Sequence, residues 1–492
     1  MNSNTTSGTR LIAACNAVLC LCGFALTVAS SFPGIMTPDT TDVIHQAVTG
    51  QWSDWHAPFY TFILSLLYPS RLGPVGMLLL NNLILWAATF LLADAAGKRY
   101  GCLGVLFCFI PLCPAIIYMP GFIWDVSLHV ALWAFAAALV FRDVAAGRKV
   151  STPTCVAAIA LVVGGVLVRQ NGWFAAALLV LAALPATMRL RTRLFIVAAA
   201  FVAMPLIWTG FAKITQTVSS HAVNSILIHD LGAMSAELRR NVYPGDWSSA
   251  QADQIEHNCV PDSLDARAPD NGWDVFAWGR CGFVLKTLSA QHLMDTHVLA
   301  KAWLTTVVHH PVAYAKARIK FFATFLHAQN STPVLTNSPS NTESGWPLEN
   351  RTLIDGMYAY ASSFLNWWVF RPGTWLACNL VAFFGLAWLM RHADASPGRR
   401  ATAGFGVLLA GGSIVWVMTY AIFGVAFDFR YVFWNVYISL ACLLIAIGEA
   451  TMSRARRDAG EVGRGAAPNL SGRIPAHDRG LRPEQHPLDT VK

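Results

Sequence analysis

"APFYTFILSLLYP", residues 57–69, is the stretch on which the fold turns. If it crosses a bilayer, every later helix changes side. If it does not, the basic residues of the chain fall into one consistent pattern. Its apolar run is shorter than the roughly 20 residues that a spanning helix needs. Phe59, Tyr60 and Tyr68 suit a helix that lies in, or half enters, the membrane–water boundary. The expectation is therefore an interfacial helix inside a loop.

Around it, apolar runs of spanning length recur at roughly 10–31, 75–95, 102–120, 122–142, 152–168, 171–187, 193–211, 373–391, 402–425 and 430–449. Hydrophobic residues make up 55% of the chain and charged ones 13%, and the mean hydropathy is +0.47. Such values exclude a soluble globular protein. The fold class is an all-α polytopic membrane protein of about ten spans. The first run ends in the small residues "TVASS", as a signal peptide would. Its weakly charged start favours an uncleaved first helix.

Basic residues then orient the spans. Lys98 and Arg99 follow one apolar run, Arg142, Arg148 and Lys149 another, and Arg189, Arg191 and Arg193 a third. Arg391, Arg399 and Arg400 follow a fourth, and "SRARRDAGEVGRG" (453–465) follows the last. Placing all of them on the cytoplasmic side of an inner membrane puts both termini inside and the first loop, 32–74, outside. The net charge of +8 thus reports orientation, not nucleic-acid binding. Four parts follow: an N-terminal transmembrane module (1–211), a large extracytoplasmic loop region (212–372), a C-terminal three-helix module (373–449) and a disordered basic cytoplasmic tail (450–492). All but two of the eleven cysteines lie in or beside apolar runs. Cys259 and Cys281 fall in the outer region, where they could form a disulfide or stand as two free thiols. The chain has no CxxC, zinc-ligand spacing, P-loop, GxGxxG, heptad pattern or internal repeat.

This orientation brings charged residues from distant segments to one boundary. Outside lie Asp39, Asp42, Asp54 and His56, then Asp125 at the end of "YMPGFIWD". "VRQNGW" adds Arg169, Gln170 and Asn171, and "AFDFRYVFW" adds Asp428, Arg430 and Tyr431. Taken singly, Asp39 suits a helix start and Arg169 a snorkelling helix end. Together they suit a polar cavity, because ionisable groups at that depth are costly.

The acidic first loop, the "W-x-D-W-H-x-P" turn (52–58) and the aromatic half-span resemble the GT-C class of integral membrane glycosyltransferases, which includes protein mannosyltransferases and lipid A aminoarabinose transferases. "GFIWDVSLHVALW", "LVRQNG", "HHPVAYAKARIKFF" and "DFRYVFW" follow in the matching order. Two departures stand out: Ala57 replaces the first proline of the usual His-Pro-Pro, and "PDTTD" replaces an adjacent acidic pair.

The resemblance implies transfer of a sugar from a polyprenyl-phosphate donor to a glycan, lipid or protein acceptor on the outer face, with inversion. An acceptor hydroxyl needs a carboxylate to take its proton; Asp39 is the first choice and Asp42, three residues on, the second. Arg430 and Arg169 offer donors to the leaving phosphate. Mg2+ or Mn2+ on Asp39, Asp42 and His56 could share that task. Asp125, Asn171 and Tyr431 would shape the pocket or bind substrate. Trp55, with Trp52 and Tyr60, would pack on sugar faces or the polyprenyl chain, among membrane lipids. A surface-polysaccharide polymerase or ligase is the nearest alternative. A transporter or flippase would instead carry mid-membrane charges on broken helices and repeated halves.

Overall fold

The computed structural model describes residues 3–68, 72–260, 272–327, 339–391 and 396–465. Its first long helix, α1 (Ser3–Ser31), precedes α2 (Pro38–Thr49), α3 (Pro58–Leu67) and α4 (Pro74–Tyr100). The last three each open on a proline, whose fixed φ and missing N–H suit the first helical turn. At ten residues, α3 is only about 15 Å long, half of a hydrocarbon core of roughly 30 Å. It serves as packing more than as an anchor. Tyr60, expected at the interface, is 1% exposed and packs among Met36, Val43, Leu64 and Met77. Phe59 and Phe62 meet Phe211 edge-on.

The run expected at 102–120 takes an unusual form. Gly101 adopts a positive φ of 67° and breaks α4, and Gly101–Leu112 follows as a 3-10 helix. A Cβ at Gly104 would collide with the backbone of Gly97, so the two segments lie flush. Farther along, Cys108 reaches Cys20 and Asn16 of α1, and the carbonyl of Leu112 accepts from the Tyr360 hydroxyl. The segment therefore runs back beside α4. Its twelve residues cover about 24 Å at the larger 3-10 rise.

The remaining bundle helices are α5 (Asp125–Ala145), α6 (Thr152–Val168), α7 (Trp173–Ala183) and α8 (Leu190–Ile214). Between α8 and the closing helices lies the long polar segment, whose helices are α9 (Asn224–Leu238), α10 (Ser249–His257), α11 (Asp274–Ala277), α12 (Gly282–Ala290), α13 (Thr296–His309), α14 (Pro311–His327), α15 (Pro339–Glu343) and α16 (Arg351–Ser362). Of these, α9–α14 build a core of their own around Ile228, Met234, Ile255, Phe276 and Leu288. Cys259 and Cys281 are joined there as a disulfide, with Cα atoms 5.7 Å apart. The chain closes with α17 (Pro372–Arg391), α18 (Pro397–Phe423) and α19 (Phe433–Gly465). The expected tail beyond residue 465 and the Ser/Asn/Pro-rich stretch 328–338 lie outside the described residues.

Among the described residues, seven helical stretches are long and apolar enough to cross a membrane: Gly8–Ser31, Pro74–Leu112, Asp125–Ala145, Leu190–Ile214, Pro372–Arg391, Pro397–Phe423 and Phe429–Ser453. The chain is an all-α polytopic membrane protein. α6 and α7 are shorter, at 17 and 11 residues. Hydrogen bonds gather the helix ends into two sets. In one, buried Glu449 accepts from Arg99 Nε at 2.6 Å and the Tyr100 hydroxyl at 2.9 Å, with Arg399 Nε 3.7 Å away. Arg99 also donates to the carbonyl of Ala145. The other set carries Asp39, Asp125, Arg169 and Arg430.

Candidate functional site

The site begins with how α2 is seated. The segment before it pairs with the turn before α5: Ile35 N donates to Gly121 O and Ile123 N to Ile35 O, at 2.9 and 3.0 Å. Thr40 Oγ1 donates to Ile123 O, and Trp124 Nε1 to Thr37 Oγ1 at 2.9 Å. From the long polar segment, Asn341 clasps the same stretch, accepting from Met36 N and donating to Gly34 O. These bonds fix the first turn of α2, and Asp39 with it, over the start of α5.

Two guanidiniums from elsewhere in the chain meet it. Arg430 Nη1 donates to Asp39 Oδ2 at 2.8 Å, and its Nε lies 2.7 Å from Asp428 Oδ2. Asp428 also caps the short 3-10 turn Phe429–Val432 by accepting from Arg430 N, so one residue sets both the backbone and the side chain of the arginine. Arg169, at the end of α6, donates through Nη1 to both oxygens of Asp125, at 2.8 and 2.9 Å. The Tyr431 ring is within reach of both cations, 5.1 Å from Arg169 and 5.5 Å from Arg430. The Trp124 ring also packs on Arg430, at 4.8 Å. Rings in this position hold a desolvated guanidinium without neutralising it. Burial alone would raise the Asp39 carboxyl, but Arg430, His56 and Arg169 outweigh it and hold it below the usual carboxylate range.

Asp42, one turn along, faces a different partner. Its Oδ2 accepts from Gln46 Nε2 at 2.8 Å and lies 3.5 Å from His56 Nε2. The three ligands expected for a cation thus divide, with Asp42 and His56 together and Asp39 turned to Arg430. Among the described residues no three His, Cys, Asp or Glu side chains gather as a metal set. Asp54 is bound to the polar segment, accepting from Ser219 and Ser220. Trp55 is 43% exposed, with its ring 6.1 Å from that of Trp273. Asn171 is exposed on the 170–172 turn.

The site also uses residues that their local sequence does not mark. Trp124 reads as an ordinary interfacial aromatic, and Asn341 sits 305 positions from the amide it holds. Asp428, two residues before Arg430 in "DFR", is the one whose spacing hints at its role. No family model, curated protein or solved structure matches this chain.

Proposed function

We propose that this protein is a membrane glycosyltransferase of GT-C type that moves a sugar from a polyprenyl-phosphate donor to an acceptor at the extracytoplasmic face, with inversion. The observation that carries this is the meeting of Asp39, Asp125, Arg169 and Arg430, from four separated segments, at one end of an apolar bundle. A lipid-linked phosphate presents its hydrocarbon to the membrane and its charge at that boundary. Guanidiniums there stabilise a leaving phosphate without having to give up a proton.

Asp39 is the proton acceptor in this scheme. In the resting site Arg430 keeps it ionised, the state a general base requires. A donor phosphate competing for Arg430 loosens that pair, and the carboxylate becomes more basic as the acceptor hydroxyl arrives. The proton moves from that hydroxyl to Asp39 as its oxygen bonds to the anomeric carbon, and the phosphate leaves with the electron pair of the broken bond. Arg169 and Asp125 form the neighbouring wall, and Asp42 with His56 faces the acceptor side. Trp55 offers an open aromatic face for a sugar ring.

Ten crossings support the orientation, if Pro74–Leu112 is two passes and α6 and α7 one each. Lys98, Arg99, Arg142, Arg148, Arg391 and Arg399 would then share the cytoplasmic side with Glu449. Mass spectrometry of envelope lipids and glycans from a deletion strain tests the proposal. One sugar modification should disappear and return with the wild-type gene but not with Asp39→Asn. An unchanged glycan and lipid profile, or full complementation by Asp39→Asn, counts against it.

A further inference from the structure

Arg430, which meets Asp39, follows a short link between α18 and the Asp428 turn. That link, residues 424–427, is fastened at three points by the long polar segment. The Gly424 carbonyl accepts from Arg318 Nη1 at 2.6 Å. The Val425 carbonyl accepts from Trp273 N at 2.6 Å. The Phe427 ring stacks on Phe321 with centroids 4.7 Å apart. Arg318 is itself held from behind: its Nη2 lies 2.7 Å from Asp230 Oδ1, and Trp303 Nε1 donates to the other oxygen of Asp230 at 2.9 Å. Arg318 and Asp230 are 6% and 2% exposed. A desolvated ion pair of this kind is poor stabilisation compared with apolar packing. It does supply what apolar packing lacks, a directed bond to one carbonyl.

We infer that Arg318 and Asp230 are positioning residues, a strap from the α9–α14 domain that sets the Arg430 loop against α2. The inference rests on the reading of Arg430 as the phosphate site, and it extends that site to a domain that does not touch the reacting atoms. Arg318→Lys keeps a cation beside Asp230 but lacks the second prong that reaches Gly424.

The test uses the full chain in lipid nanodiscs, with farnesyl phosphate as the probe. Amide hydrogen exchange of Arg318→Lys should speed up across 425–432 and stay unchanged in α9 and α14. Probe affinity should fall about tenfold, in the range of mutations that act through a coupling network. Faster exchange throughout α9 and α14, or wild-type exchange at 425–432, would make Arg318 a fold-stabilising residue only and overturn the strap. Should Arg318→Lys fail to accumulate, Phe321→Leu removes the ring stack and takes the same measurements, with the same two outcomes. Arg430→Ala separates the two proposals. If it binds the probe as wild type does, the phosphate reading falls, and the exchange data still decide the strap.

Discussion

Asp39 and Asp42 lie one turn apart on α2, yet they have different partners. Asp39 faces a guanidinium and Asp42 a glutamine and a histidine, so they are not interchangeable. The pairing of Asp39 has a pH signature. Its carboxyl is held below the ordinary value of about 3.9, and the base form is needed for transfer. In the free enzyme kcat/KM should therefore persist as pH falls through the ordinary carboxylate range and drop only below it. Arg430→Gln removes the main opposing charge and leaves burial, which raises the pKa, less opposed. The acid limb should then shift upward, whatever the loss in absolute rate. A limb that stays in place would show that another group titrates. That acidic and basic residues share this boundary was legible, because the positive-inside pattern sorts loops by side. Which acid takes which base was not, since that depends on rotamers and on packing such as Trp124 over Arg430.

At the level of elements, the 3-10 segment Gly101–Leu112 departs most from what hydropathy can register. An apolar run shows as a span whatever its rise per residue, and close packing leaves no trace in a hydropathy average. The glycines carry the information. Gly104 presses on the backbone of Gly97 and Ala93, which no side chain could allow without moving the segment. Gly104→Ala should destabilise the protein by about 1–3 kcal/mol, as overpacking does. Gly210, in α8, provides the contrast, since a Cβ there meets nothing within 4 Å. Gly210→Ala should be neutral or stabilise by up to about 1 kcal/mol through helix propensity. Thermal unfolding of both variants in the same detergent checks the pair, and equal melting temperatures would remove the flush contact from the account. α3 teaches the converse. Its length was readable as too short to span, but Tyr60 looked like an anchor because burial against α2 and α4 is set by partners elsewhere in the chain.

At the scale of the whole molecule, two charged clusters within residues 1–449 differ in character, and the proposed orientation puts them on opposite sides of the membrane. The site pairs its arginines with Asp39 on α2, Asp125 at the start of α5 and Asp428, whereas the other cluster buries Glu449 against Arg99 and Arg399. Exposed positions at each end report their sides separately: Gln51 follows α2, and Ala146 follows α5 beside the Arg99 contact. Cysteines placed at Gln51 and Ala146, one at a time, can be probed with a membrane-impermeant maleimide. The exposed native Cys15, Cys22 and Cys102 are first replaced by serine. In intact cells stripped of their outer barrier, Gln51→Cys should label and Ala146→Cys should not. Inverted vesicles should reverse the pattern. The opposite pattern would place Asp39 and Arg430 in the cytoplasm, where an enzyme could draw on soluble nucleotide sugars and would have no need of a lipid-linked donor. Labelling of both positions from one side would instead break the path of ten crossings. The 3-10 passage would then be the first place to look, because without it every later helix enters from the wrong side.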